Sequence, residues 1–413
     1  MKILFVHNYY QQPGGEDTVF RAERDMLREY GHTVIEYTDH NDRIKTMSPL
    51  AVARDTIWSG YSYSRISKIL KEEKPDIAHF HNTFPLISPS AYYACKKMKV
   101  PVIQTLHNYR LLCPAAIFYR DGQICEECIG NKVPLYKTIE DYQNFTKKDR
   151  KTMLFPYPAV LHSCYHKSKF RSAMVAMYLF IHRISGTWQN KADAYIALTE
   201  FSKKKFIEGG LPGEKIFVKP NFVHPDPGMR EGSGDYALFV GRLSPEKGIM
   251  TLLKAWEELK DISLKIAGDG PLMNEVREFL RIKGMRHLEI LGSKSKSEII
   301  DLMKKSKFLV FPSEWYETFG MVAIEAFACG VPVVASNLGS LNEIISKLDI
   351  KLYFSPKNID SLKAIIKEIH CINKEIIYKN EKFRSEYEGK YDITENFRQL
   401  VYIYKNFYKK HNV

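Results

Sequence analysis

Short apolar runs alternate with helical periodicity along most of the chain, and that rhythm predicts two successive α/β units. Ile3–Val6 is an unbroken apolar run of strand length, followed by a polar, glycine-bearing loop from His7 to Gly15. Val19, Phe20, Ala22, Met26, Leu27 and Tyr30 then recur on one side of a helix, which Gly31 is placed to end. The next strands are expected at Val34–Tyr37, Asp76–Phe80 and Val100–Leu106. Strand, helix and strand in this order imply a mainly parallel sheet covered on both faces. Between Asn108 and Thr187 the rhythm breaks, and the longest wholly apolar run, Ala173 to Ile181, falls here. That run reads either as a helix packed on the core or as one lying against a membrane or a lipid-linked acceptor. Lys169, Arg171 and Arg183 beside it fit both.

The pattern resumes at Ala194–Leu198 and Lys215–Val218, and a Pro/Gly/Asp-rich passage from Pro220 to Gly234 has the composition of a linker. Tyr236–Val240 opens a second alternation, with further strands expected at Leu264–Ala267, Leu288–Leu291, Phe308–Phe311, Pro332–Ala335 and Lys351–Phe354. Helical patterns separate them, as at Ile249 to Leu259 and Thr318 to Ala328, and a last helix is expected around Thr394 to Tyr408. Doubly wound units of this kind take ligands at the carboxyl ends of their strands.

Length agrees with this division, since 413 residues exceed what one ordinary core holds. The start runs straight into a strand pattern and the longest apolar run is far below the roughly 20 residues that cross a bilayer. The expectation is therefore a cytoplasmic protein, at most peripheral on the inner face of the membrane. The formal charge of +13 would attract anions, whether phosphorylated molecules or an anionic membrane surface. Its lysines are scattered, so a specific nucleic-acid module is not expected.

Three segments carry candidate chemistry. Pro13-Gly14-Gly15-Glu16 lets backbone amides approach an anion at a helix start, or simply makes a tight turn, and it lacks the dinucleotide spacing G-x-G-x-x-G. Gly241-Arg242-Leu243-Ser244-Pro245-Glu246-Lys247-Gly248 follows a strand and precedes a helix. Arg242 and Lys247 there would stabilise the charge that grows on a departing phosphate. Glu314 to Glu325 holds two glutamates eight residues apart, Glu317 before a helix and Glu325 two turns into it. On a continuous helix that spacing leaves them within about 80° around the axis, facing one cleft. Carboxylates so placed suit sugar or ribose hydroxyls. His107, at the end of a strand, is the leading histidine candidate over His7, His79 and His81.

Cys113, Cys125, Cys128 and Cys164 lie in the irregular region, with Cys125 and Cys128 forming one C-x-x-C pair. They are compatible with a closed structural zinc site, for which His162 and His166 are substitute ligands, or with free thiols. A redox pair is disfavoured in a cytoplasmic setting. Cys95, Cys329 and Cys371 read as ordinary apolar-face residues.

Taken in this order, the motifs resemble those of the family 4 retaining glycosyltransferases, most specifically from Tyr236 to Ile345. The resemblance implies the GT-B fold, α/β with two Rossmann-like domains facing across a cleft. It implies an acceptor-side domain over 1–220 with an insertion at about 108–187, a nucleotide-sugar domain over 221–390, and a segment 391–413 crossing back. Gly14 and Gly15 match the family's loop near the donor phosphates or acceptor. Arg242 and Lys247 match its diphosphate clamp, and Glu317 and Glu325 its E-x7-E motif, contacting sugar hydroxyls and ribose respectively. Thr318, Phe319 and Gly320 match the lining of the sugar-phosphate site, and His107 its strand-end histidine. His81-Asn82-Thr83-Phe84-Pro85 and the cysteine-bearing insertion resemble members that build bacterial or archaeal surface polysaccharides. The implied partners are a nucleoside-diphosphate sugar and a glycan or lipid-linked glycan acceptor, with no catalytic metal. A nucleotide-sugar epimerase of similar fold, or a non-catalytic binding or scaffolding protein, would carry many of the same features.

Overall fold

The computed structural model describes residues 1–12, 14–129, 155–346, 348, 351–371 and 375–411. Pro13 of the glycine loop and residues 130–154 of the insertion lie outside them. The chain divides into two units. Unit 1 comprises Met1–Phe118, Cys125–Lys219 and Phe397–Val413, and unit 2 comprises Tyr119–Ile124 and Pro220–Asn396.

Unit 1 is built on β1 (Lys2–Tyr9), β2 (Thr33–His40), β3 (Ile77–Asn82) and β4 (Val102–Thr105). A two-stranded antiparallel hairpin follows, β5 (Tyr119–Arg120) with β6 (Gln123–Ile124), and contributes to unit 2. Then β7 (Ala194–Ala197) and β8 (Ile216–Val218) complete a sheet of order β2-β1-β3-β4-β7-β8, parallel throughout. All six residues of β3 are buried, as a strand covered on both faces requires. Its helices are α1 (Gly15–Glu29), α2 (Pro49–Ile57), α3 (Gly60–Glu73), α4 (Ser90–Lys97), α5 (Tyr157–Leu161), α6 (Lys169–Ile184), α7 (Thr187–Asn190) and α8 (Glu200–Glu208). In α1 the buried Val19, Phe20, Met26 and Leu27 fall on one side, and Gly31 follows the cap residue Tyr30 with a φ of 79°.

The apolar run Ala173–Ile181 lies in α6. Val175, Ala176, Tyr178 and Leu179 pack inward, with Tyr178 against Phe84 and Trp188. Phe170, Met177 and Ile184 stay exposed. Among the described residues no helix is long and apolar enough to cross a membrane.

Unit 2 repeats the architecture with β9 (Tyr236–Val240), β10 (Leu264–Ala267), β11 (Leu288–Gly292), β12 (Ser306–Phe311), β13 (Val333–Ser336) and β14 (Tyr353–Phe354). Their order is β11-β10-β9-β12-β13-β14, all parallel. This is the doubly wound Rossmann order, whose direction reverses between β9 and β12. The helices are α9 (Ile249–Trp256), α10 (Met273–Lys283), α11 (Lys296–Lys304), α12 (Met321–Ala328), α13 (Gly339–Ser346), α14 (Ile359–Cys371) and α15 (Glu375–Lys390). The final helix, α16 (Ile393–His411), joins unit 1 from Phe397 onward. There Phe397 stacks on Tyr30 at 3.9 Å between ring centres, and the Tyr404 hydroxyl meets His79 Nδ1 at 2.7 Å.

Two local expectations fail. Helix α12 begins at Met321 and not at Thr318, because Gly320 holds a φ of 111° that breaks the helical path. Glu325 is thus little more than one turn into the helix, and the angular argument linking it to Glu317 does not apply. Cys371 is exposed, so it is not an apolar-face residue, whereas Cys95 and Cys329 are buried.

Candidate active site

The reversal of strand order in unit 2 places the loops after β9 and β12 side by side, where a doubly wound sheet takes its ligand. The first runs from Gly241 to Gly248 through a single 3-10 turn, Pro245–Lys247. Gly248 then enters α9 with a φ of 69°, and a Cβ there would stand 1.9 Å from the Pro312 carbonyl oxygen. Only glycine lets the loops approach so closely. The Glu314 amide donates to the Glu246 carbonyl (2.8 Å), tying the two loops together. The Leu243 amide donates to the Asp269 carbonyl (2.9 Å), joining the loop after β10 to them.

Across this junction Lys247 Nζ reaches Glu317 Oε1 at 2.5 Å. The same oxygen accepts from Ser313 Oγ (2.7 Å) and Trp315 Nε1 (2.8 Å). Glu317 is buried, and an ionised carboxylate there needs such donors to offset lost hydration. Lys247 also lies over the Trp315 ring, 5.0 Å from its centre, and over Phe311 at 5.8 Å. A lysine held by one carboxylate and two ring faces can exchange its carboxylate for an incoming anion. Arg242 stands at the loop's start, exposed, with no ion-pair partner among the described residues. Thr318 is half-buried and its carbonyl accepts from Ser340 Oγ (3.3 Å), while Phe319 is buried against Tyr391. Glu325 is buried in α12 and paired with Lys296 at the start of α11.

Unit 1 presents a second polar group at the ends of β1, β3 and β4. His107 lies two residues beyond β4; its ring stacks on His81, and His107 Nε2 lies 2.9 Å from His81 Nδ1. Burial, with His7 and Lys219 nearby, pushes the His107 imidazole down to about 3, so it is neutral at physiological pH. Burial also lowers His7, His79 and His81. Beneath them Lys219 Nζ meets Glu23 Oε1 at 2.6 Å, both side chains fully buried. A small cavity is lined by His81, Thr83, Phe84, Thr105, His107 and Arg110.

Gly14 caps α1 with its amide donating to Asp17 Oδ2 (2.9 Å), and Gly15 is the first helical residue. Gly14 has a φ of −120°, and a Cβ on Gly15 would meet nothing within 4 Å. Neither angle nor close contact demands glycine at Gly15, and a Cβ on Gly14 would only touch the Tyr10 ring at 4.0 Å. Glu16 Oε2 accepts from Asn108 Nδ2 at 3.0 Å, and burial pushes its carboxyl up to about 7.

Sequence reading did not single out Glu16, Asn108, Ser313, Trp315 or Lys296. Ser313 and Trp315 flank Glu317 closely enough for local spacing to flag them. Lys296 and Asn108 reach their partners only through the fold. The structure groups Lys247 with Glu317 in unit 2 and Gly14, Gly15 and His107 within unit 1, whereas Glu325 is held apart from Glu317 by its pairing with Lys296.

Two family models match the chain: Glycosyltransferase Family 4 over residues 10–123 and Glycosyl transferases group 1 over residues 227–382. An uncharacterised glycosyltransferase of Methanocaldococcus jannaschii is 35% identical over 188 residues, 46% of this chain and 52% of that protein, so the match spans about half of that relative. An uncharacterised 42.6 kDa protein in the cps region of Klebsiella pneumoniae is 24% identical over 430 residues, covering 94% of this chain and all of that one (100%). Among solved structures, HepE of Anabaena in complex with UDP superposes with a TM-score of 0.66 at 17% identity, over 98% of this chain and 100% of that chain. The chain belongs to the family 4 glycosyltransferases, and its two Rossmann-like units are those of the GT-B fold.

Proposed function

We propose that this protein transfers a hexose-like unit from a nucleoside-diphosphate sugar to a hydroxyl of a glycan or lipid-linked glycan, with retention of anomeric configuration. The observation carrying this reading is the junction of Lys247, Glu317, Ser313 and Trp315 where the strand order of unit 2 reverses. Lys247 and Arg242 bind the diphosphate, Lys247 exchanging Glu317 for a phosphate oxygen. Glu317 then accepts hydrogen bonds from sugar hydroxyls, while Thr318, Phe319 and Gly320 line the sugar-phosphate position. Glu325 takes the ribose hydroxyls. The bond from the anomeric carbon to phosphate breaks as the acceptor oxygen attacks from the same face, and the acceptor proton passes to the departing phosphate oxygen. Both cations act on charge that grows during this step, so they favour the transition state over the bound donor. In unit 1, Gly14 and Gly15 at the start of α1 serve the donor phosphates or the acceptor, and His107 bonds a hydroxyl of the donor sugar or assists the acceptor. HepE in complex with UDP makes uridine the first base to try.

The test is thermal unfolding with UDP-, GDP- and ADP-sugars and the free nucleotides. A ligand at one hundred times its dissociation constant stabilises the native state by about 2.7 kcal/mol. Selective stabilisation by UDP-sugars, lost in Lys247→Ala, supports the reading; no shift with any nucleotide sugar at saturation overturns it.

A further inference from the structure

Four side chains from four separate elements of unit 1 form a line that ends at His107. Glu23 lies on the buried side of α1, His81 on β3, His107 just beyond β4 and Lys219 just beyond β8. Lys219 Nζ donates to Glu23 Oε1 at 2.6 Å. The other oxygen, Glu23 Oε2, stands 3.4 Å from His81 Nε2. His81 Nδ1 in turn lies 2.9 Å from His107 Nε2. The side chains of Glu23, His81 and Lys219 are fully buried. Neither Glu23 Oε2 nor His81 Nε2 has another hydrogen-bond partner among the described residues. The His81 ring is held in place by Phe5, Phe20, His79 and His107, at 5.0, 5.2, 4.5 and 5.1 Å between ring centres.

A neutral imidazole carries one proton, and its position decides which nitrogen donates and which accepts. Burial lowers His81 and pushes His107 down to about 3, so each ring has a single proton to place. Glu23 receives the Lys219 bond on Oε1 and turns Oε2 toward His81. A proton on His81 Nε2 meets that oxygen. A proton on Nδ1 would set lone pair against lone pair where solvent offers no screening, a costly arrangement for buried polar atoms. With Nε2 protonated, His81 Nδ1 is an acceptor, so the proton shared with His107 belongs to His107 Nε2. The lone pair of His107 then lies on Nδ1.

We infer that Glu23 is a positioning residue that fixes the proton of His81 on Nε2 and, through that ring, the proton of His107 on Nε2. His107 Nδ1 is thereby set to accept a hydrogen bond from a sugar hydroxyl and not to donate one. That last consequence rests on the transferase reading; the placement of the protons does not. Glu23, His79 and His81 also bring ligand atoms within 4.8 Å of one another, as a metal site would. His79, however, bonds Tyr404 through Nδ1 and Thr105 through Nε2, and Glu23 bonds Lys219, so hydrogen bonding accounts for the group without a metal ion.

The experiment labels the histidines of the full chain isotopically and reads their tautomers by proton–nitrogen correlation NMR, with His81→Gln and His107→Gln to assign the signals. In the wild-type protein both rings should be protonated on Nε2. In Glu23→Gln the amide oxygen takes the Lys219 bond and the amide N–H faces His81, so both rings should move their protons to Nδ1. Wild-type His81 protonated on Nδ1 would overturn the inference, as would unchanged tautomers in folded Glu23→Gln. Breaking a buried pair is strongly destabilising, whereas replacing both members by apolar side chains is tolerated. Glu23→Met combined with Lys219→Met therefore serves where the single variant does not fold; its two rings should show mixed tautomers, and a pure Nε2-protonated form would overturn the role. In transfer assays Glu23→Gln should lower kcat/KM by about tenfold, as one lost hydrogen bond does. Added to His107→Gln it should cost nothing more, because it acts through that ring, and additive losses would overturn the positioning role. The spectra need no substrate, so failure here and failure of the transferase reading are distinguishable.

Discussion

At the scale of single residues, the two units use their ionisable groups differently. In unit 2 a lysine and a carboxylate are paired, Lys247 Nζ meeting Glu317 Oε1 at 2.5 Å, while Arg242 stands exposed beside them. Arg242→Ala should therefore lower kcat by about 100- to 1000-fold, the usual cost of removing one donor to developing charge, with little change in unfolding temperature. Steady-state kinetics beside a melting curve checks both halves. In unit 1 the buried strand-end histidines favour their neutral forms. His107 is pushed down to about 3, and His7, His79 and His81 are also lowered, in each case first by burial. Below pH about 6.5 the unfolded chain binds protons that these native histidines refuse. Their stabilising contribution is thus complete above that pH and lost as pH falls toward the folded values. The urea midpoint of unit 1 should drop between pH 7 and pH 5, and less steeply in His107→Gln. Glu16 has the reverse sign. Its carboxyl is raised to about 7, so its contribution is present at low pH and lost as pH rises through that value. Glu16→Gln should stabilise the protein at pH 8 and leave it unchanged near pH 4. The sequence marked Glu317 and Lys247 because each sits in a distinctive string. It could not mark the Glu16–Asn108 bond, whose partners are 92 residues apart.

At the scale of elements, the sheets were legible because parallel strands buried on both faces read as apolar runs, and Tyr236–Val240 and Leu264–Ala267 agree to the residue. The hairpin β5–β6 was not, since two residues per strand give no period to detect. The start of α12 was misread for a definite reason: apolar residues continue through Phe319, and only the backbone angle at Gly320 shows that the helix waits until Met321. The loops that hold the proposed donor site depend equally on backbone geometry. Gly248→Ala would force a side chain onto the Pro312 carbonyl at a positive φ. It should cost more than about 1 kcal/mol of stability and weaken nucleotide-sugar binding, because the displaced loop carries Lys247. Chemical denaturation and ligand titration of that variant, with Gly31→Ala as a positive-φ control that has open space around it, separate the steric effect from backbone strain.

For the whole molecule, unit 1 is assembled from three stretches of chain, and the last comes from α16. Leu400, Ile403 and Tyr404 are buried, and Tyr404 caps the His79 ring that also bonds Thr105 Oγ1 at 2.8 Å. Removing the chain beyond Asn396 should make unit 1 sensitive to limited proteolysis while fragments of unit 2 persist; equal resistance of both units would contradict that role for the helix. The same arrangement governs how the protein emerges during synthesis. A ribosome delivers residues 1–219 early, but the strip of surface awaiting Tyr404 and Phe397 stays uncovered until nearly 180 further residues, the greater part of unit 2, have been translated. Nascent unit 1 therefore spends that interval as a partly open intermediate, the natural target of cellular holding factors. Slow codons between 220 and 396 would lengthen its exposure, and an N-terminal fragment expressed alone would remain in that state.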